Sequence, residues 1–393
     1  MSTIKISGTG CSLGDIVYNR IDFSSPVFKK YRYKKTGDGG LSPGRLVFTE
    51  EFEKFAGAHY SDVMKEITEG KKPDTFNLGG PGIVATIHAS QMLHEYNAEV
   101  YFYGAVGKDD LGEKILAIVK KTPVSIDKYR LFSSNSPFTD VLSDPDFDHG
   151  KGERIFVNSI GCAWDLLPEH LDDDFFNSDI VVFGGTALVP IIHDNLSALL
   201  QKSKKNGCTT VVNTVFDFRN ERKNPGKPWP LGKNEDLSNI DLLIMDYEEA
   251  LKISGMKDIH KALQYFMNHN AATIVITHGT HPVKIFSSGR MFKPCDYHEM
   301  PVSQTVEEEL IKNPNFKGDT TGCGDNFAGG FISSLAMQLQ SGSAGNLDIK
   351  EACALAIASG GFACYYMGGT YLEKEKGEKF RKIDRLVKEY KIS

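Results

Sequence analysis

Six short runs rich in β-branched residues, separated by segments of helical period, constrain this chain more than any other feature. The runs are IKISG (4–8), VYFYGAV (100–106), DIVVFGG (179–185), TTVVNTV (209–215), DLLIMD (241–246) and ATIVITHG (272–279), and each reads as a buried strand. Segments 82–96, 110–121, 194–206 and 257–270 between them carry the spacing of helices. Strand and helix in alternation are the mark of βαβ units. The pattern predicts an α/β protein, a doubly wound and mostly parallel sheet flanked by helices, in one domain over residues 1–393. Two regions break the rhythm. Residues 16–77 alternate at first (IVYNRIDF), turn through KKTGDGGLSPGR and read as helical from about 50 to 69; residues 126–160 read as strands broken by SDPDFDHGKGER. Excursions this long inside a compact domain are usually lids or binding loops, so a small β cover is expected.

Composition narrows the partners. A net charge of −6 offers no basic field to a nucleic-acid backbone. The seven cysteines form no CxxC pair, and the opening MSTIKISGTG lacks an apolar signal core, so reduced thiols in a cytoplasm are expected. Residues 352–372 contain no charge and are long enough to cross a bilayer, but four glycines and three tyrosines fit a buried helix ending in a glycine turn. No membrane partner is expected.

The stretch GDTTGCGDNFAGGF (318–331) is the densest in turn and acidic residues, and an apolar helical face (Ala328, Ile332, Leu335, Leu339) follows at once. Amides of Gly322, Cys323 and Gly324 would then sit unpaired at a helix N-terminus, which is a site for an anion. Asp325 in the same place would repel a resident phosphate. It makes sense where a phosphoryl group is transferred and the carboxylate takes a hydroxyl proton. The competing reading is a helix cap, which Asp also favours. NLGGPG (77–82) is either a strand-to-helix turn or a place where ligand hydroxyls approach backbone amides. GTGCSLG (8–14) is followed by strand-like DIVYNRIDF rather than a helix, which argues against a dinucleotide fingerprint, and no GxxxxGK[ST] occurs. His278 and His281 have no third ligand nearby and read as a loop pair.

DTTGCGDNFAGGF closely resembles the C-terminal signature of the PfkB (ribokinase-like) carbohydrate and nucleoside kinases, DTTGAGDxFxxGF. GCSLGD (10–15), LGGPGIVAT, YGAVGKDDLG (103–112), GERIF (152–156), MDYEEA (245–250) and THG (277–279) resemble that family's other motifs in the right order, over about residues 4–372. The resemblance implies a ribokinase-like fold with a small β lid, and transfer of the ATP γ-phosphoryl to a hydroxyl of a small sugar with Mg²⁺. A nucleoside kinase of the same family is the alternative. It further implies that Asp325 is the base and Gly322, Cys323 and Gly324 the anion hole. Thr320 and Thr321 would lie beside the phosphates, Thr277 and Gly279 by the nucleotide, and Asp15, Gly79 and Gly80 by the substrate. Glu249 would order Mg²⁺ through water, with Asp246 beside it where the family has Asn. Gly368 and Gly369 resemble the place where some members bind a monovalent cation. Val84 stands where the family usually has Asn, and Pro282 replaces a later glycine of the nucleotide loop. Wide spacing between Asp15 and Gly79 marks an insertion within about 30–77, expected near the acceptor site or at the contact of a homodimer. A non-catalytic relative that only senses sugar or nucleotide would be marked by loss of the base or the GxGD glycines, and this chain keeps both.

Overall fold

The computed structural model of the chain describes residues 3–35, 37–231, 236–313, 318, 320–342 and 347–390. Asp319 of the DTTG motif and Thr36 of the insertion lie outside them. In chain order the strands are β1 Ile4–Gly10, β2 Leu13–Asn19, β3 Leu46–Phe48, β4 Thr75–Gly79, β5 Ala98–Tyr103, β6 Ala105–Gly107, β7 Arg130–Phe132 and β8 Phe138–Asp144. They continue as β9 Glu153–Ser159, β10 Ile180–Gly184, β11 Thr209–Asn213, β12 Leu242–Asp246, β13 Thr273–His278, β14 His281–Ser287 and β15 Cys295–Met300.

The main sheet has eight strands in the order β15-β14-β13-β12-β11-β10-β1-β5. All neighbours from β13 to β5 are parallel, and β14 and β15 add an antiparallel edge. Both faces are covered, which is why its strands read as unbroken apolar runs rather than alternating ones. Ile6, Val182, Val211, Ile244 and Val275 face helices Pro81–Met92, Cys323–Gln340 and Ile349–Ala363. Their neighbours Val181, Phe183, Val212, Leu243 and Ile274 face the opposite layer, with helices Leu196–Lys205 and Ile259–Asn268.

The chain leaves β1 towards β5 on one side and returns to β10 on the other. The strand order reverses there, and such a switch point opens a crevice beyond the carboxyl ends of the strands. Over that crevice lies a second sheet, β3-β9-β8-β2-β4, built from the two regions that broke the sequence rhythm. Strand β7 does not join it and pairs with β6. The outer face of the small sheet (Leu142, Ile155, Val157) is sealed by the helices of the insertion through Phe28, Phe52, Val63 and Ile67. Fully buried side chains of this size stabilise by about 1.5–3 kcal/mol each, so the insertion supplies the lid's own core.

Residues 352–372 divide as expected. The buried helix Ile349–Ala363 is followed by a turn through Gly368, whose φ is 80°. Among the described residues no helix is long and apolar enough to cross a membrane, and all seven cysteines are free thiols.

Candidate active site

Gly322 caps helix Cys323–Gln340 with φ 76°, a left-handed conformation that suits glycine, and a side chain there would collide with Gly369. The Asn326 amide returns to the Gly322 carbonyl at 2.8 Å, which closes the turn. Of the three amides expected to be free, that of Cys323 is drawn to the Thr320 carbonyl at 3.3 Å. Those of Gly322 and Gly324, and of Asp325 as well, have no acceptor among the described residues, so the first turn keeps a set of outward donors. At Gly324 an added Cβ would meet nothing within 4 Å.

Asp325 is the third residue of this helix, and its carboxylate accepts no hydrogen bond among the described residues. The cap is the Gly322 backbone, so the capping alternative is not realised. Burial pushes the Asp325 carboxyl up to about 7. Its charge adds to the raised pKa of Glu249 and of Cys11, which places those groups within electrostatic reach. Cys11, just past β1, is raised by burial first, then by Asp15, then by Asp325; the two aspartates therefore approach it together.

Glu249 sits in the first turn of helix Tyr247–Ser254, where its Oε2 accepts from Thr214 Oγ1 at 2.6 Å and from the Asp246 amide at 3.1 Å. Asp246 caps in return, accepting from the Glu249 amide at 2.7 Å. Burial, and next the Asp246 charge, raises the Glu249 carboxyl. Asp246 and Asp325 both oppose the ionisation of Glu249, and a carboxylate so placed suits a cation better than it suits its neighbours. Among the described residues no three His, Cys, Asp or Glu side chains form a metal cage, so a cation here would depend on water and ligand oxygens.

On the other side of the turn lies a cleft of about 580 Å³. Thr277, Gly279, Thr320, Cys323 and Gly324 form its polar end, and Val302, Val306, Leu310, Phe327 and Ile357 its apolar wall. His278 and His281 pair across the β13–β14 turn with rings 4.4 Å apart, His278 also stacking on Tyr247 at 4.2 Å.

The inner face of the small sheet carries a polar row that follows from strand register. Asp15 on β2 is opposite Asn77 on β4 and Thr139 on β8; Thr139 is opposite Asn158 on β9, and Asn158 is opposite Phe48 on β3. Directly paired residues share a face, so all five point the same way. Asn158 gives its Nδ2 to Thr139 Oγ1 at 2.9 Å, while its buried Oδ1 has no partner among the described residues. Four residues away along β9 on the same face, Arg154 reaches across the crevice and donates from Nη1 to Thr321 Oγ1 at 2.8 Å. Gly79 ends β4 against the Asp15 carboxylate, and Gly80, φ 105°, caps helix Pro81–Met92 beside Cys11. Val84 is buried under the Gly369 loop. Thus Asp15, Gly79 and Gly80 cluster near Cys11, which also feels the Asp325 charge, while Thr277, Gly279, Thr320, Cys323 and Gly324 border one cleft.

Sequence reasoning missed Asn77, Thr139, Asn158, Arg154 and Asn213. Arg154 lay within GERIF, a quoted motif, but nothing along the chain tied it to Thr321. Asn213 ends β11 beside Thr214, buried, with its Nδ2 unpartnered among the described residues. Its only sequence signal was its place at the end of TTVVN.

Comparison with known proteins identifies the family and the fold. Residues 61–376 match the pfkB family carbohydrate kinase profile. The chain is 26% identical over 268 residues to a ribokinase of Staphylococcus aureus (strain COL), covering 65% of this chain and 74% of that protein. Adenosine kinase from Schistosoma mansoni in complex with 2-fluoroadenosine has the same fold, with a TM-score of 0.68 at 17% identity over 93% of this chain and 96% of that one. Ribokinase from Thermotoga maritima superposes with a TM-score of 0.62 at 14% identity, over 98% and 99%. The fold is ribokinase-like, and the chain belongs to the pfkB carbohydrate kinase family.

Proposed function

We propose that this pfkB-family chain transfers the γ-phosphoryl of ATP to a hydroxyl of a small neutral sugar. One observation carries the reading. A carboxylate that accepts no hydrogen bond among the described residues, raised to about 7, stands in the first turn of a helix where the Gly322 and Gly324 amides have no acceptor among the described residues, and that turn borders an apolar-walled cleft. In this reading the adenine lies against Val306 and Phe327, and Thr277, Gly279, Thr320 and Thr321 border the nucleotide. The acceptor hydroxyl gives its proton to Asp325, while the amides of Gly322 and Gly324 take up charge developing on the phosphoryl oxygens. Glu249, steadied by Thr214, would hold hydrated Mg²⁺, with Asp246 at its rim and Asn213 donating to phosphate oxygens. Bound there, Mg²⁺ supplies neutralisation of the phosphate charge. Arg154 ties the lid to the phosphate turn and so excludes water that would otherwise hydrolyse ATP. Arg154→Met is expected to raise the ATP hydrolysed without acceptor, relative to transfer, by about tenfold. An unchanged ratio in a coupled ADP assay would remove Arg154 from the lid lock.

The acceptor class follows from the polar row. Asp15 and the orphaned Oδ1 of Asn158 are acceptors, and a sugar supplies hydroxyl donors to both. Lys34, Lys35 and Arg45 are the basic residues of the insertion that a sugar phosphate would want, and of these Lys34 lies over the Phe55 ring on the outer side of the small sheet. A nucleoside is the second reading, supported by the likeness in fold to adenosine kinase from Schistosoma mansoni. A panel of ribose, fructose, 2-keto-3-deoxygluconate, adenosine, inosine and fructose phosphates, scored by ADP release, decides between them. Asn158→Leu is expected to raise KM for the preferred acceptor about 10–100-fold with KM for ATP unchanged. Activity confined to phosphorylated sugars would overturn the neutral-acceptor reading. No stimulation by any acceptor would favour a binding protein.

A further inference from the structure

Behind the phosphate turn is a charge that the chemistry above does not use. Lys379, on helix Glu378–Val387 and beyond the residues matched by the family, is 1% exposed. Lysine is almost never buried to this degree without an ionic partner. Among the described residues no carboxylate lies within ion-pair distance of its ammonium, and burial lowers its pKa to about 7; Glu373, the one acid whose charge opposes that shift, is bonded instead to the Lys379 backbone amide at 2.8 Å. The ammonium donates to two neutral oxygens, Asn326 Oδ1 at 2.9 Å and Gln91 Oε1 at 3.1 Å.

Asn326 follows Asp325 and is fully engaged. Its Oδ1 also receives His88 Nδ1 at 2.7 Å and the Tyr366 hydroxyl at 3.1 Å. Its Nδ2 donates to the carbonyls of Gly322 and Gly369, each at 2.8 Å. The orientation is unambiguous, because a flipped amide would turn NH₂ towards the ammonium and an oxygen towards two carbonyls. For the same reason His88 carries its proton on Nδ1, and burial, then Lys379, keeps it neutral. The close crossing that brings His88 here depends on Gly329, where a side chain would strike His88 and the Ala85 carbonyl.

We propose that Lys379 is a positioning residue for phosphoryl transfer: through Asn326 it locks the Gly322 turn to the Gly369 loop, and it holds behind the anion site an amine that an anion bound in front of the turn keeps protonated. A neutral donor would satisfy the same two oxygens at a far smaller desolvation cost. The charge is worth burying where an anion binds on the far side of the turn, since low dielectric strengthens that attraction. The inference rests on the kinase reading of the Asp325 turn, but its test can be separated from it.

The test compares wild type with Lys379→Met, which keeps the length and apolar bulk, and Lys379→Ala, which leaves a cavity lined by Asn326 and Gln91 oxygens. Calorimetric binding of ATP is expected to weaken about tenfold in the Met variant while adenosine, which lacks phosphates, binds as to wild type. Turnover should fall about 10–100-fold with acceptor KM unchanged, at temperatures where melting curves show the variant folded. Methylammonium should restore at least about tenfold of the loss in the Ala variant, and tetramethylammonium, too large for the hole and without N–H donors, should not. ATP affinity equal to wild type in folded Lys379→Met, or loss of both ligands in proportion to unfolding, would overturn the proposal. If wild type itself shows no acceptor-dependent turnover, the kinase reading fails, and the ATP-versus-adenosine comparison still judges Lys379.

Discussion

Asp325→Asn is expected to lower kcat by about 10²–10⁴ while nucleotide binding stays near that of wild type. The substitution keeps size and shape, and no hydrogen bond to the carboxylate exists among the described residues to be lost, so stability should change little. The wild-type pH profile carries a second part of the result. A base works only when ionised, and burial places this carboxyl near 7. Activity should therefore rise with pH up to about 7 and level off above it, falling about tenfold per unit on the acid side. In the Asn variant the residual rate should lose that acid limb. A variant within a few-fold of wild type, or one that keeps the limb, would remove Asp325 from the chemistry. The limb must then belong to another group, and Glu249, raised by burial and by Asp246, is the first to examine.

Gly324→Val is expected to reduce turnover by about 10²–10³ with little change in melting temperature. Along the chain, a side chain at Gly324 would crowd the amides, and its backbone also looks as though it needs glycine. In the folded protein that demand falls on Gly322, with φ 76° and a side chain's space filled by Gly369. Gly324 is helical, and a Cβ there would project into open space at the polar end of the cleft. Valine would therefore disturb only what enters the cleft, by occupying the approach to the free amides. Gly322→Val supplies the contrast, since left-handed strain and the clash should lower stability as well as activity. Equal melting losses in both variants would mean that the turn serves the fold alone.

Much of the architecture was legible in the sequence because two-sided burial leaves a strong local trace. β10, β12 and β13 are apolar at successive positions, and that pattern belongs to strands covered by helices on both faces. The glycine-capped helix start at Gly322 was legible for a related reason: helix start, glycine density and Asp325 lie within a few residues, so the relevant geometry is local. The failure of GTGCSLG as a dinucleotide loop was local too, since β2 follows it directly.

The polar row of the small sheet and the burial of Lys379 were decided only by tertiary structure. Asp15, Asn77, Thr139 and Asn158 form one row because four strands pair in a particular register, and a slip of one residue would send each of them to the lid's apolar side. Register is a property of pairs and turns, and no single segment encodes it. Lys379 stands among charged residues in KEKGEKF and reads along the chain as a solvated helix face. It is buried because helix Glu378–Val387 packs on helix Ile349–Ala363 and points this one side chain at Asn326, some fifty residues away in sequence. Local pattern determines which segments become strands and helices and where the backbone turns; the identity of a side chain's neighbours, and hence whether a charge meets water or an amide, is fixed only when those elements pack.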